Sequence, residues 1–311
     1  MEFFHKPTSF PFMSTRKVWY GLSVILMLIS IGSFFGRGLN LAIDFTGGVR
    51  IEAAFPQAAN IDAVRSALKA AGFDEAPVEN FGSSREISIR LPPQPGVDSA
   101  AIRTKVEGIL QSLDPGAELR SIEVVGSQVG SELRSKATEA LVGALALIFI
   151  YIMFRFHTWR LSAGAILAVL HDPILVLGVF SVSRTPFDLT VVGAMLAVIG
   201  YSLNDTVVVF DRIRERFESS RRLEPRLVLD QSINQTLSRT IMTKVVTLIV
   251  VVALYVLGGP ALKGFSEALI IGIVAGTYSS IYISSAIALD CGLKADDLLP
   301  SADKKPVDDL P

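Results

Sequence analysis

The chain has 311 residues, half of them hydrophobic, a mean hydropathy of +0.48 and a formal net charge of −1. Soluble domains of this length rarely reach that hydropathy, so the composition indicates an integral membrane protein, and the near-zero charge carries no sign of a nucleic-acid partner. A single cysteine, Cys291, excludes an intrachain disulfide and a thiolate cluster, while three histidines and the lack of a G-x-x-x-x-G-K-[ST] loop argue against a metal site or an ATPase.

After a short N-terminal stretch, 1–17, residues 18–36 are free of charge and follow Arg16 and Lys17. At about 1.5 Å per residue this segment is long enough to cross a bilayer. It exceeds the usual signal-peptide core, and FFGRGLN lacks a small-x-small cleavage pattern, so a retained anchor is expected. A polar stretch, 37–136, comes next. Five further apolar segments follow at 137–154, 161–182, 189–210, 238–257 and 265–289, with a charged connection at 211–237. The tail, 290–311, is rich in Asp, Lys and Pro and is expected to be disordered.

Six spans put both termini on one side. Arg155 and Arg160 flank the second–third connection, and Arg212, Arg214, Arg216, Arg221, Arg222 and Arg226 crowd the fourth–fifth, against only Arg184 and Lys263 opposite. The positive-inside rule therefore predicts cytoplasmic termini and a 37–136 domain outside the cytoplasm.

Within that domain GGVRIEAAF alternates as a strand does, and NIDAVRSALKAAG opens on an asparagine cap and repeats apolar residues at helical spacing. APVENFG and REISIRL are short strands separated by a GSS turn, DSAAIRTKVEGILQSL is a second amphipathic helix, and AELRSIEVVG is a last strand. The order β-α-β-β-α-β is the split motif of the ferredoxin-like fold. The expected fold class is an α-helical polytopic membrane protein with six transmembrane helices and an α+β ferredoxin-like periplasmic domain.

Several polar groups fall inside the spans. Asp205 precedes VVVF, so ending the fourth span before it would expose four large apolar residues; an intramembrane carboxylate marks a functional site by default. The fifth span has an uninterrupted apolar run only from Val245 to Leu257, so a full crossing draws in Lys244 and then Arg239. Thr236, Arg239, Thr243 and Thr247 then fall close to one face. Both cations can instead snorkel to the headgroups, and either can pair with Asp205. LHDP places His171 and Asp172 near the middle of the third span, where Pro173 removes a backbone donor and can kink the helix. These groups serve either to steady a kink or to conduct or gate protons. Glu139 and Glu267 lie near outer span ends and read as interfacial. Gly272 and Gly276 form a G-x-x-x-G packing surface.

IDFTGG at 43–48, which contains Asp44, Gly47 and Gly48, resembles the glycine-pair signature of the Sec export membrane proteins. LHDP at 170–173 and GYSLNDTVVVFDRIRE at 200–215 resemble their later spans. Together with the six-span layout they resemble the SecD/SecF family of the resistance–nodulation–division superfamily, on its SecF side rather than the longer SecD side. The resemblance implies pairing with SecD in the bacterial inner membrane, association with YajC, the SecYEG channel and SecA, and use of the proton motive force to draw preproteins outward. It implies neither enzymatic chemistry nor a cofactor. It puts the family's membrane carboxylate on Asp205, its membrane arginine on Arg239, and its turn glycines on Gly47 and Gly48. Two other readings are a small-molecule exporter of the same superfamily and a membrane scaffold whose charges are structural.

Overall fold

The structure, a computed structural model, describes residues 8–73, 76–93, 99–156, 158–220 and 222–298. Among the described residues six helices are long and apolar enough to cross a bilayer. They are α1 (Arg16–Arg37), α5 (Ser127–Phe156), α6 (Trp159–Ser183), α7 (Leu189–Ser219), α8 (Pro225–Leu257) and a last crossing built from α9 (Lys263–Tyr278), a π-helical turn (Ser279–Ile283) and α10 (Ser284–Asp290). The interior is formed by α6, α7 and α9–α10; α1, α5 and α8 leave most of their apolar surface uncovered. Small residues set the closest approaches. A Cβ on Gly178 of α6 would lie 2.1 Å from Ser30 Oγ of α1, and one on Gly164 would lie 2.2 Å from the Ser284 carbonyl.

Three of these helices overrun their expected ends. The stretch 211–237, expected as a connection, is helical over 211–219 and 225–237, because α7 and α8 continue as amphipathic rods. Ile213, Phe217, Val228, Leu229 and Ile233 bury one side, while Arg212–Glu215 and Arg214–Glu218 pair on the other at helical spacing. A hydropathy window stops at the first charges, although the helix does not. Pro225, at the first position of α8, fits a site where no backbone donor is required. Likewise α5 begins at Ser127, ten residues ahead of the apolar run.

Both terminal segments pack onto the membrane helices. Phe12 and Met13 enter the core, and the Phe10 and Met13 amides donate to Asn234 Oδ1 (2.9 Å) and Asp230 Oδ1 (2.8 Å) of α8. Of the tail expected to be disordered, the part through Leu298 folds back: Arg160 donates to the Cys291 carbonyl (3.1 Å) and to Asp297, and Asp290 pairs with Arg16 (3.0 Å). The rest, 299–311, lies outside the described residues. At mid-span, α6 runs through Pro173 without a break.

Between α1 and α5 lie a short helix α2 (Ile43–Thr46), strands β1 (Gly48–Ala54), β2 (Val78–Phe81), β3 (Ser83–Leu91) and β4 (Glu118–Val125), and helices α3 (Ile61–Ala70) and α4 (Ser99–Leu113). The sheet is antiparallel in the order β2-β3-β1-β4, with Ile51 facing Ile89 on one side and Ile122 on the other. Period-two alternation turns Val49, Ile51, Ile87, Ile89 and Leu91 toward α3 and α4, which supply Val64, Leu68, Ile102, Val106 and Leu110. Asn60 caps α3 as its sequence position predicts, accepting the Ala63 amide at 3.1 Å, a contact worth about 1 kcal/mol.

The domain is fastened to the membrane helices by polar contacts. Arg90 of β3 donates to Asn40 Oδ1 (3.0 Å) and Glu79 (2.7 Å), and Asn40 Nδ2 donates to the Arg184 carbonyl (2.6 Å). Arg184 adopts φ +61°, and its guanidinium caps the end of α1 at the Arg37 and Gly38 carbonyls. Leu41 and Phe187 complete the junction as an isolated parallel bridge.

Candidate functional site

The membrane core is layered. Toward the sheet, Val176, Phe180, Val191, Met195, Val198, Leu269 and Ile273 form an apolar cluster. Toward the termini, Phe156, Leu161, Val209, Phe210, Ile213 and Ile233 form another. Between them α6, α7, α8 and the last crossing bury polar groups: His171, Asp172, Ser202, Asp205, Thr206, Thr240, Lys244 and Ser279. Such groups are tolerated in hydrocarbon only when they face neighbouring helices and find partners.

Asp205 Oδ2 lies 2.8 Å from Lys244 Nζ, and each side chain is 7% exposed. The contact is close but not aligned as a hydrogen bond, and among the described residues neither atom has another hydrogen-bond partner. The nearby threonines are occupied with their own helices: Thr206 donates to the Ser202 carbonyl (3.1 Å) and Thr236 to the Ser232 carbonyl (3.0 Å). Asp205 and Lys244 thus depend on each other for charge compensation.

Of the two cations open from the sequence, Lys244 is the one in contact. The expected face of Thr236, Arg239, Thr243 and Thr247 is split, with Arg239 and Thr243 exposed. The buried stripe of α8 runs instead through Ser232, Thr236, Thr240 and Lys244, at steps of four. Arg239 sits about 100° around the helix from Thr240, which turns it outward, and it is exposed. Breaking a buried ion pair by removing one partner costs about 3–5 kcal/mol, and removing both restores much of the loss. Lys244→Met should therefore lower the thermal unfolding temperature of the detergent-solubilised protein, and Lys244→Met/Asp205→Asn should recover most of it. Equal destabilisation by the single and double variants would show that the two charges are not coupled.

The second buried group is carried by α6. Asp172 is fully buried; its Oδ2 accepts from Ser202 Oγ of α7 (2.5 Å) and Ser279 Oγ (2.9 Å), and its Oδ1 meets His171 Nδ1 at 3.0 Å. Two of these partners, Ser202 and Ser279, are side chains from other segments, and none is a carbonyl freed by Pro173, so the cluster joins helices. Of the glycine pair on α9, Gly272 faces Val198, whose Cγ2 would lie 2.2 Å from an added Cβ. Gly276 makes room for the carboxylate, with Asp172 Oδ2 at 3.2 Å and Ser202 Cβ at 3.3 Å from the same probe position. The pair packs α9 on α7, as G-x-x-x-G predicts.

IDFTGG contributes more than a turn. Asp44 Oδ2 accepts the Leu189 amide (3.0 Å) while Asp188 caps α7 at the Val191 amide (2.9 Å), so the motif anchors the helix that bears Asp205. Gly47 ends α2 at φ +71° and Gly48 opens β1 at φ +118°. Added Cβ atoms would lie 2.7 Å from Ser127 Cα and 2.3 Å from the Leu91 carbonyl oxygen. Glu139 is exposed and paired with Lys136, and Glu267 is half-buried beside Thr185, both near the sheet-side ends of their helices. Sequence reasoning missed Ser202, Ser279 and the Asp44 contact; a hydroxyl in an apolar helix is common, and no local signal pairs these groups across helices.

Residues 105–294 match the family described as protein export membrane protein SecD/SecF, C-terminal, and residues 32–59 match the SecD/SecF GG motif. The chain belongs to the SecD/SecF family. Its matched regions contain every residue discussed above as a candidate site. Similar curated proteins include the protein translocase subunit SecF of Vibrio alginolyticus, 46% identical over 290 residues (93% of this chain, 92% of the relative). That of Pseudomonas aeruginosa is 44% identical over 302 residues (96% and 97%). Among solved structures, SecDF of Thermus thermophilus, described as a translocon-associated membrane protein, is 37% identical with a TM-score of 0.84. The likeness covers 91% of this chain and 39% of SecDF, so this SecD/SecF family member spans less than half of that longer protein.

Proposed function

We propose that this chain is the SecF-type subunit of a Sec protein-export machinery, pairing with a SecD-type chain and coupling the proton motive force to preprotein translocation. The observation that carries the coupling is the buried Asp205–Lys244 pair between two apolar clusters. A helix movement that parts the pair leaves a carboxylate without compensation in an apolar layer, which favours proton uptake; restoring the pair favours release. Access from alternating sides would then turn each crossing of a 100 mV gradient into about 2.3 kcal/mol of directed motion. Arg239, turned outward on the same helix, is the second cation that a rotation of α8 would bring to Asp205.

The finer assignments follow the same reading. The chain sits in the bacterial inner membrane with both termini cytoplasmic, and 37–136 is a periplasmic domain. Its strand order and β-α-β-β-α-β succession support a ferredoxin-like fold. The assembly includes SecYEG with SecA, and YajC. Co-purification with a SecD-type chain, then reconstitution with SecYEG and SecA, tests the function: export into vesicles should rise with an imposed gradient and fall when an ionophore collapses it. Gradient stimulation that does not require this chain would overturn the proposal. For orientation, Cys291→Ser carrying a cysteine at exposed Gln111 should react with an impermeant thiol reagent added outside, whereas one at exposed Glu218 should not. The reverse labelling would invert the topology.

A further inference from the structure

The His171–Asp172 cluster is not used by the Asp205–Lys244 pair and has an unfilled bonding site of its own. His171 is 4% exposed, Asp172 is fully buried, and among the described residues the Nε2 atom of His171 has no hydrogen-bond partner. With Asp172 ionised, Nδ1 carries the ring proton toward Oδ1 (3.0 Å), and Nε2 is left as a bare lone pair. In that state the pair holds a net charge of −1, and among the described residues its hydrogen bonds from outside come from the hydroxyls of Ser202 and Ser279.

We propose that His171 and Asp172 form a second proton-binding site, which takes up one proton at His171 Nε2. The proton comes from hydronium through water: a new N–H bond forms, the imidazole becomes a cation, and the pair passes from −1 to neutral. Release to water reverses the step. Neutralisation removes the cost of a net charge in the apolar layer. It also creates a donor that has no acceptor in the present arrangement, so loading requires local rearrangement. Ser279, which holds Asp172, is the first residue of the π-helical turn, where the regular helical bonding ladder is interrupted. Ser202, which holds the same oxygen, lies one turn from Asp205 on α7. Occupancy of this site is thereby linked to the last crossing and to the helix of the first carboxylate.

Among the described residues Asp172 forms an ion pair only with His171. Arg16 on α1 pairs with Asp290 on α10, Arg155 on α5 with Asp211 on α7, and Lys244 on α8 with Asp205 on α7. Tyr278 on α9 faces the imidazole at 5.7 Å between ring centres, but its hydroxyl donates to the Trp19 carbonyl (2.5 Å).

The proposal rests on the gradient-coupled reading above, and its test is separable from it. The sequence has three histidines, so His5→Gln/His157→Gln leaves His171 as the only imidazole. In the membrane-reconstituted complex with its SecD-type partner, 15N solid-state NMR should show Nε2 passing between bare and protonated forms between pH 5 and 9. Asp172→Asn should move the midpoint by about one pH unit or more, the scale of losing a contacting charge. Ser279→Ala, which spares both the imidazole and the carboxylate, should move it by less. His171→Gln should alter the pH profile of gradient-driven export. An Nε2 signal that stays bare throughout, or a midpoint unmoved by both Asp172→Asn and Ser279→Ala, would overturn the site. Titration persisting in an Asp205→Asn protein supports a separate site. If that same variant kept full gradient-driven export, the role of Asp205 would fail while the His171 site stood.

Discussion

Asp205→Asn is expected to reduce gradient-driven export to the level reached when an ionophore collapses the proton motive force, while ATP-dependent export by SecA continues. Asparagine matches aspartate in size and keeps an acceptor within reach of Lys244, but it exchanges no proton. The exchange strands Lys244 rather than a carboxylate, and a lysine's long flexible stem lets its ammonium seek the headgroup level. Insertion and pairing with the SecD-type chain should therefore survive, and Asp205→Asn should destabilise less than Lys244→Met. Export into inverted vesicles, with and without an imposed gradient, gives the result directly. Full gradient stimulation in the variant would remove the proton-carrier role and leave Asp205 as a packing element.

Gly47→Val and Gly48→Val should abolish export by a different route, with the chain still inserted. The two glycines adopt φ +71° and +118°, values a β-branched residue resists strongly. Strain alone costs about 1–2 kcal/mol for a residue forced into the left-handed region. The larger effect is steric. The new Cβ atoms would meet backbone at 2.7 Å (Ser127 Cα) and 2.3 Å (Leu91 oxygen), and backbone in a helix and a sheet cannot step aside as a flexible side chain would. Limited proteolysis should find the sheet domain loosened from α5 in both variants. Gly108→Ala, at a helix position with nothing within 4 Å of an added Cβ, should behave as the parent. Wild-type export by either valine variant would show the pair to be dispensable.

The elements of the sheet domain were legible because each carries its own period. The alternation of GVRIEAA and the asparagine before IDAVRSALKA need no distant partner to be read. Span ends were less legible, because hydropathy reports where apolar residues stop, whereas α7 and α8 persist through charges by burying Ile213, Phe217, Val228 and Leu229. In the site, Asp205 stood out because a carboxylate beside VVVF violates the local pattern. Its contacting cation was decided by which side of α8 turns inward, and only the packing of α8 on α7 fixes that. The serines around Asp172 left no trace at all, since their meaning lies in three helices meeting.

The junction between the sheet and the membrane has a mechanical consequence. Only Gly126 separates the end of β4 from α5, and α5 runs unbroken for 30 residues, about 45 Å. At its head Gly130 nests against Gly47, so close that an added Cβ would lie 2.6 Å from the Gly47 nitrogen. A domain joined this way has no slack with which to swing independently. Any tilt of the sheet would therefore be passed directly to α5 and so to the bilayer-spanning bundle.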